Sequence, residues 1–271
     1  MPELPEVETA RRGIEPFLLG QRLRGAEVRN RLLRRPVPER LDRILAGNRV
    51  EEVGRRGKFL FLRWRRGSLL IHLGMSGSLR VVPDRAPPER HDHLDLLLPR
   101  RLRLRFRDPR RFGLVRLAGP KPLAEPPLAD LGPEPLAEGF DGVVLRRAFR
   151  GRRAPVKVLL LDGRVVAGIG NIYACEALHR AGVRPDRPAG SLAERRCVRL
   201  AGAIREVLAR AIEAGGTTLR DFRTAGGEAG WFRRELSVYG REGEPCPSCG
   251  RRVRNDRLAG RSTFWCSRCQ T

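Results

Sequence analysis

The stretch KFLFLRWRRGSLLIHLGMSGSLRVV, residues 58–82, consists of short apolar or alternating runs interrupted by glycine. The runs HLDLLL (93–98) and RLRLRF (101–106) continue this pattern, which is typical of β-strands that bury one face. Several short strands at such spacing predict a β-sandwich or barrel between about residues 21 and 117. This part of the chain therefore decides the fold class.

The segment before the strands has a helical repeat. In LPEVETARRGIEPFLL, residues 4–19, apolar residues recur near helical spacing, and Gly20 follows as a stop. These apolar residues are Leu4, Val7, Ile14, Phe17 and Leu18. A proline in the first turn fits a helix, because its missing N–H would have no partner there.

Changes in composition divide the rest of the chain. A proline-rich stretch follows the strands, the pattern is then helical to about residue 215, and RTAGGEAGWF (223–232) is rich in glycine. The predicted parts are a helix with a sandwich over 1–118, a linker over 119–136, a helical domain over 137–222, a loop region over 223–237 and a cysteine-rich end over 238–271. The sequence thus predicts a multidomain α+β protein.

The charge balance points to a polyanionic partner. The 271 residues include 55 Lys and Arg against 31 Asp and Glu, a formal net charge of +24. A preference for arginine exchanges Lys for Arg, but it does not by itself leave acids so outnumbered, so we expect a nucleic acid. On the strand RLRLRF, Arg101, Arg103 and Arg105 share one face, which we expect to meet solvent or phosphate.

Only three lysines occur among these cations: Lys58, Lys121 and Lys157. A retained lysine is a hint of a position that needs a compact charge or a titratable amine.

Neither a membrane span nor a secretory signal is apparent. No segment approaches the roughly 18 uninterrupted apolar residues of a spanning helix. The amino end is acidic, whereas a secretory signal begins with a basic and then an apolar region. We therefore expect a cytosolic protein with no membrane partner.

Four of the six cysteines have the spacing of a metal site. They are Cys246 with Cys249 and Cys266 with Cys269. Two residues separate the members of each pair, so four thiolates can close a tetrahedral shell around one structural Zn²⁺. Two disulfides would suit neither this spacing nor the cytosol.

Cys175 and Cys197 have no such partners, and we expect buried thiols there. Five arginines lie between the two pairs, so the zinc-bound hairpin is expected to bind phosphate.

Three separate stretches carry a family resemblance. PELPEVET (2–9), VVAGIGNIYACE (165–176) and GRSTFWC (260–266) resemble, in order, the bacterial formamidopyrimidine-DNA glycosylases, also called 8-oxoguanine DNA glycosylases or MutM proteins. The resemblance implies a bifunctional glycosylase and abasic-site lyase that removes oxidised purines, including 8-oxoguanine opposite cytosine. It also implies a helix-two-turn-helix domain over 137–222, a loop over 223–237 that covers the everted base, and a monomer acting on damaged duplex DNA at the bacterial nucleoid.

The resemblance assigns catalytic roles. Pro2, exposed as a secondary amine after removal of Met1, is the nucleophile that attacks C1′ and forms an iminium. Glu3 is the acid/base, and Lys58, on the strand after the first helix, is a general acid in the elimination and a phosphate contact. Arg261 belongs to the same catalytic set. From residues alone, the start of a helix is the alternative for Pro2 and Glu3.

Further residues are matched to DNA. An enzyme that acts on a base in a duplex must evert the damaged nucleotide, and the gap left in the base stack has to be filled. The resemblance assigns this filling role to Met75 in HLGMSG and to Arg110 and Phe112 in DPRRFG. Arg110 also contacts the orphaned cytosine. From residues alone, core packing is the alternative for Met75.

The remaining matches concern phosphates and the lesion. His72, Asn171 and Arg261 are implied to hold phosphates, and Lys157 is implied to lie near the damage.

Two other functions are compatible with parts of the sequence. An enzyme of the endonuclease VIII branch would remove oxidised pyrimidines, but that branch tends to begin PEGPE, and PELPEVET with DPRRFG favours the purine branch. A non-enzymatic zinc-ribbon protein that binds DNA or RNA would explain the charge and the cysteines. It would leave Pro2, Glu3 and Lys58 without a role.

Overall fold

A computed structural model describes residues 2–216 and 235–271. These residues form two compact units. The first holds the chain up to Asp130, and the second runs from Leu131 to Glu213 and includes the described carboxyl-terminal residues. No helix among the described residues is long and apolar enough to cross a membrane.

The described residues of the first unit form two α-helices and eight strands. They are α1 (Leu4–Leu18), β1 (Gly25–Val28), α2 (Leu41–Leu45), β2 (Glu52–Arg56), β3 (Phe59–Trp64), β4 (Gly67–His72), β5 (Ser78–Pro83), β6 (Asp92–Leu98), β7 (Leu102–Arg107) and β8 (Leu114–Ala118). The strands form two four-stranded antiparallel sheets, with orders β1-β6-β7-β5 and β2-β3-β4-β8.

One apolar core joins the two sheets. Leu60 and Leu62 of β3 and Leu94 and Leu96 of β6 belong to the same buried cluster. Alternate residues of each strand point to the same face, so each sheet contributes one apolar side to this cluster. Two sheets around a shared core are a sandwich, so the predicted α+β fold with a sandwich is confirmed.

The helix α1 adds its apolar face to this core. Its buried residues Val7, Ala10, Ile14 and Leu18 belong to the same cluster, and Leu4 is buried as well. Full burial of one such large side chain contributes about 1.5–3 kcal/mol, more than a surface ion pair, so this face decides where the helix packs. Phe17, in contrast, is 43% exposed. The helix ends before Gly20, which has φ +75°.

The arginine face of β7 differs from the prediction. The register places Asp95 of β6 opposite Arg105, and the two side chains form buried hydrogen bonds of 3.0 Å. Arg29 binds the same carboxylate, and Arg103 is paired with Glu27. Burial raises the pKa of Asp95, but hydrogen bonds from Arg105 and Arg29 outweigh it and leave that pKa below its ordinary value. Arg105 is therefore part of an internal ion-pair network, and the expectation that it meets solvent or phosphate is wrong.

The proline-rich stretch predicted as a linker is folded in part. Residues Pro122–Ala124 form a 3-10 turn, and Leu128 is fully buried. The Glu125 carboxylate accepts from the Gly119 N–H at 3.1 Å.

The second unit is helical with one β-hairpin. Its elements are α3 (Gly142–Phe149), α4 (Val156–Leu161), α5 (Asn171–Ala181), α6 (Glu194–Glu213), β9 (Arg254–Leu258) and β10 (Arg261–Trp265), with a 3-10 turn at Ala189–Ser191. The long helix α6 packs against α3 and α5. The antiparallel strands β9 and β10 are joined at Ala259 and Gly260, which both have positive φ, as a tight type I′ turn requires.

Candidate active site and zinc centre

The two residues before α1 are fixed by the start of the helix. Pro2 is buried, and Glu3, 2% exposed, has the extended backbone of an N-cap. The Glu6 carboxylate accepts from the Glu3 N–H at 2.9 Å, and the Glu3 carbonyl accepts from the Val7 N–H at 3.1 Å. The backbone next to Pro2 is therefore held in place before any ligand binds.

Lys58 lies in the two-residue turn between β2 and β3, where Gly57 has φ +57°. The sequence-based placement on a strand is thus shifted to a turn. Arg55 ties this turn to α1, because its guanidinium binds the Glu8 carboxylate at 3.1 Å and the Gly57 carbonyl at 3.0 Å. Burial raises the pKa of Glu8, but hydrogen bonds from Arg11 and Arg12 outweigh it and lower that pKa. Glu8 consequently stays anionic and keeps α1 linked to the Lys58 turn.

His72, the last residue of β4, is held in its neutral form. Burial, with the positive charges of Lys58 and Arg34, lowers its pKa from 6.5 to about 4. Its Nδ1 accepts from the Gly74 N–H at 3.0 Å. The remaining ring proton is then on Nε2, which makes His72 a neutral hydrogen-bond donor.

Met75, Arg110 and Phe112, which we call the wedge residues, come together from two loops. Met75 lies in the loop 73–77 between β4 and β5, and the other two lie in the loop 108–113 between β7 and β8. Met75 is 37% exposed and Phe112 is 44% exposed, so Met75 is not a core residue. The Arg110 guanidinium lies 5.0 Å from the centre of the Phe112 ring. Two exposed apolar side chains and one cation thus lie on these two neighbouring loops.

Two residues that hold these loops were not singled out from the sequence. Ser76 and Asp108 are both buried, and the serine Oγ donates to the Asp108 carboxylate at 2.7 Å. Asp108 is the first residue of DPRRFG, so its position in that motif was a usable signal. Ser76 belongs to HLGMSG in the same way, so both motifs carried the signal.

Lys157 is buried in the second unit. Its ammonium donates to the Ser262 carbonyl at 3.0 Å and to the Thr263 hydroxyl at 2.7 Å. Only 1% of Lys157 is exposed. The charge therefore holds the hairpin strand β10 against α4.

Asn171, the first residue of α5, converges on the same strand. Its Nδ2 also donates to the Ser262 carbonyl, at 3.0 Å. Arg261, the neighbouring residue of β10, is exposed. The structure thus brings together Lys157, Asn171 and the start of β10, all from sites predicted from the sequence. The amino end of α5 additionally offers backbone N–H groups, an arrangement that favours anions.

The four paired cysteines form one cluster. Their sulfur atoms all lie within 4.8 Å of one another, with 3.9 Å between Cys246 and Cys269 and 3.5 Å between Cys249 and Cys266. A tetrahedral zinc with Zn–S bonds of about 2.3 Å would place its sulfurs about 3.8 Å apart, so the donor set fits Zn²⁺. A hydrogen bond from the Arg251 N–H lowers the pKa of the Cys249 thiol to about 7, whereas burial raises the pKa of the Cys246 and Cys269 thiols.

The zinc cluster is joined to α5 by side-chain contacts. His179 Nε2 lies 3.4 Å from Cys246 Sγ. The Gln270 side chain accepts from the Cys266 N–H at 2.8 Å and donates to the Val183 carbonyl at 2.9 Å. Metal binding is therefore coupled to the position of the helix that begins at Asn171.

Cys175 and Cys197 are fully buried, as predicted. Cys175 packs in the apolar cluster that also contains Cys246 and Cys266. The predicted lesion-covering loop, by contrast, falls outside the described residues except for 235–237.

Comparison with known proteins identifies the family. Three family models match: "Formamidopyrimidine-DNA glycosylase N-terminal domain" over residues 1–115, "Formamidopyrimidine-DNA glycosylase H2TH domain" over 131–223, and "Zinc finger found in FPG and IleRS" over 243–271. The formamidopyrimidine-DNA glycosylases of Stutzerimonas stutzeri and Geotalea uraniireducens are 55% and 52% identical to this chain over 270 residues, with 100% of each chain covered. The chain belongs to the formamidopyrimidine-DNA glycosylase family.

Solved structures of the family agree with this assignment. The MutM (Fpg) protein of Thermus thermophilus is 46% identical, with a TM-score of 0.88, over 99% of this chain and 98% of that one. A Lactococcus lactis Fpg bound to DNA that contains an abasic site is 35% identical, with a TM-score of 0.92 over 99% of both chains. The single structural zinc follows from the matched zinc-finger model and the four clustered cysteines.

Proposed function

We propose that this chain excises oxidised purines, 8-oxoguanine opposite cytosine and formamidopyrimidines among them, from duplex DNA and then cleaves the resulting abasic site. As a member of its family it is a DNA glycosylase with abasic-site lyase activity. The oxidised-pyrimidine alternative is not favoured, because the full-length relatives are formamidopyrimidine-DNA glycosylases. A purely DNA-binding zinc ribbon is not favoured either, because the matched glycosylase domain covers residues 1–115.

The proposed nucleophile is the Pro2 amine, freed when Met1 is removed. It forms a bond to C1′ while the bond from C1′ to the damaged base breaks. The positive end of α1 disfavours an ammonium at this position, which keeps more of the amine neutral and reactive, although Glu3 and Glu6 act in the opposite direction. Glu3 is the proposed acid that protonates the sugar ring oxygen or the leaving base.

The proline nitrogen then loses its proton and the C1′–O4′ bond breaks, with transfer of a proton to O4′. The resulting iminium between Pro2 and C1′ withdraws electrons from the sugar. Loss of a proton from C2′ then releases the 3′ phosphate, and a second elimination releases the 5′ phosphate. Water hydrolyses the iminium and returns the Pro2 amine. Lys58 is the proposed proton donor and phosphate contact in these steps, and Arg55 and Glu8 hold its turn against α1.

Access to C1′ requires eversion of the nucleotide. The wedge residues are proposed to fill the gap, with Met75 and Phe112 against the neighbouring bases and Arg110 hydrogen-bonded to the orphaned cytosine. Filling the gap offsets the unstacking cost of a few kcal/mol per base step.

Phosphates are the proposed ligands of His72, Asn171 and Arg261. His72 offers a neutral N–H, whereas Arg261 offers a charge on the zinc-bound hairpin. Lys157 is proposed to act near the lesion by positioning the hairpin, since its ammonium is bound to Ser262 and Thr263. We also propose that the protein is associated with the nucleoid, which its net charge of +24 supports.

The observation that carries the catalytic proposal is the buried Pro2–Glu3 pair at a capped helix start. Borohydride trapping on a duplex with 8-oxoguanine opposite cytosine tests it. We expect a covalent adduct whose mass corresponds to the chain without Met1, and peptide mapping should place the link on Pro2.

Two variants sharpen this experiment. Pro2→Gly should lose base excision while retaining binding to abasic-site DNA. Pro16→Ala, which changes an exposed proline of the same helix, should behave as the unaltered protein. A crosslink on any other residue, or an active protein that retains Met1, would contradict the proposal. Comparison of 8-oxoguanine with dihydrothymine substrates separates the purine from the pyrimidine activity.

A further inference from the structure

Two loops of the sandwich run side by side from one sheet to the other. Loop 73–77 leads from β4 to β5, and loop 108–113 leads back from β7 to β8. Because β4 pairs with β8 and β5 pairs with β7, the loops are neighbours at both ends. The wedge residues are therefore carried by two separate pieces of chain.

The Asp108 carboxylate connects these pieces. Its Oδ1 accepts from Ser76 Oγ at 2.7 Å, and its Oδ2 accepts from the Gly113 N–H at 2.7 Å. The Arg110 N–H points at the same centre, 3.2 Å from Ser76 Oγ and 3.3 Å from Asp108 Oδ1. One fully buried acid thus binds the hydroxyl of one loop and two backbone N–H groups of the other.

The backbone of Asp108 is fixed as well. Its carbonyl accepts from His93 Nε2 at 2.8 Å, and its N–H donates to the His91 carbonyl at 3.0 Å. These two partners lie on the neighbouring chain segment at the start of β6. The carboxylate is therefore presented from a rigid position in the sheet.

The loops also touch directly at Gly74. Its φ is +65°, and a Cβ at this position would lie 2.5 Å from the Phe112 carbonyl carbon and 2.6 Å from the Gly113 nitrogen. The two backbones are thus in contact immediately beside Met75 and Phe112. Any displacement of one loop would be transmitted to the other.

We propose that Asp108 and Ser76 are positioning residues for base eversion, which join the two loops so that Met75, Arg110 and Phe112 enter the duplex as one rigid unit. This inference rests on the proposed function. Buried hydrogen bonds to a charged group are among the strong ones, so loss of either partner should loosen the wedge without touching the Pro2 chemistry. Excision should slow on a duplex, where the damaged nucleotide must be everted. The reaction should be unchanged on a single strand, where the abasic site is already accessible.

The test compares two substrates. The first is a duplex with 8-oxoguanine opposite cytosine or adenine, on which single-turnover excision is measured. The second is a single-stranded abasic oligonucleotide, on which borohydride trapping is measured. The variants are Ser76→Ala and Asp108→Asn, and the matched control is Ser68→Ala, which removes another buried serine hydroxyl of the same unit, bonded to the Gly119 carbonyl at 2.8 Å.

We expect Ser76→Ala and Asp108→Asn each to slow duplex excision about tenfold or more, the effect of one lost buried hydrogen bond. The ratio of the excision rate opposite cytosine to the excision rate opposite adenine should move toward one, because Arg110 is no longer fixed. Trapping on the single strand should remain at the level of the unaltered protein. The double variant should be slowed by less than the product of the two single effects, since both changes weaken the contact between Ser76 and Asp108. Ser68→Ala should leave the ratio of the two activities unchanged.

Each other outcome overturns the inference. Unaltered duplex excision and discrimination in both variants would show that the loops need no connection, while the proposed function stands. Equal losses on duplex and single strand would show that Asp108 and Ser76 serve folding only. If the unaltered protein neither excises 8-oxoguanine from the duplex nor is trapped on the single strand, the proposed function fails and this inference fails with it.

Discussion

Lys157 on α4 and Asn171 at the start of α5 donate to the same main-chain carbonyl, that of Ser262, each at 3.0 Å. Two helices are thereby fixed to one point of strand β10, next to Arg261. The hairpin is held at this end by polar side chains and at the other by the four cysteines. Its proposed phosphate contacts should therefore depend on both attachments.

Replacement of Lys157 by Met should destabilise the protein. The change removes a buried ammonium and leaves the Ser262 carbonyl and Thr263 hydroxyl without that donor, which costs about 1–3 kcal/mol. Thermal unfolding should show a lower midpoint, and DNA affinity should fall with it. Lys121→Met, at an exposed lysine, is the control. A loss of DNA affinity at unchanged thermal stability would instead make Lys157 a direct contact.

Replacement of Cys249 by Ser should release the zinc. Structural zinc sites supply about 10–16 kcal/mol of apparent binding energy that is used in folding, so the hairpin should lose its order. Duplex affinity, measured by fluorescence anisotropy, should drop, whereas trapping on a single-stranded abasic oligonucleotide should persist. Cys197→Ser, at a buried free thiol, should retain both zinc and affinity. Retention of one zinc per chain in the Cys249 variant would contradict the four-thiolate site.

The pH dependence of stability should report on His72. Its pKa is about 4 in the folded protein against 6.5 ordinarily, so between these values the unfolded chain binds a proton that the native state does not. Stability from His72 is thus fully present above pH 6.5 and is lost as the pH falls toward 4. The free energy of unfolding of His72→Gln, measured with denaturant, should decrease less across this pH window than that of the unaltered protein. His91→Gln is the control, and an unchanged slope in the His72 variant would count against a neutral imidazole at this position.

DNA binding should weaken steeply with salt. A protein that neutralises 6–10 phosphates loses about 10³–10⁵ in affinity between 50 and 200 mM salt. Replacement of Arg261 by Ala should reduce the slope of log K against log salt by about 1, because one phosphate contact is removed. Titration of an undamaged duplex isolates this effect from lesion recognition. A flat titration would exclude binding through the basic surface.

Local patterns in the sequence predicted much of the fold and the metal site. Cysteine spacing alone defined the zinc ligands, since each pair needs only a tight turn to place two sulfurs together. Helix α1 and the strands followed from apolar periodicity, which depends on neighbours in the chain. The buried state of Cys175 and Cys197 also followed from their residue type.

Contacts between distant residues could not be obtained in this way. The burial of Lys157 depends on Ser262 and Thr263, more than a hundred residues further along the chain. Arg105 turned inward because the β6–β7 register places Asp95 opposite it, and one alternating strand does not reveal its partner. The roles of the catalytic and DNA-binding residues came from family motifs and stay predictions.

The close approach at Gly74 limits how this enzyme can be varied. The side chains of the wedge residues, at positions 75, 110 and 112, are exposed and leave room for other side chains. They can therefore be redesigned toward other lesions or other opposite bases. The main chain below them has no space for even one additional carbon atom. A library of variants that aims at altered damage preference should randomise the three wedge residues and keep Gly74 constant.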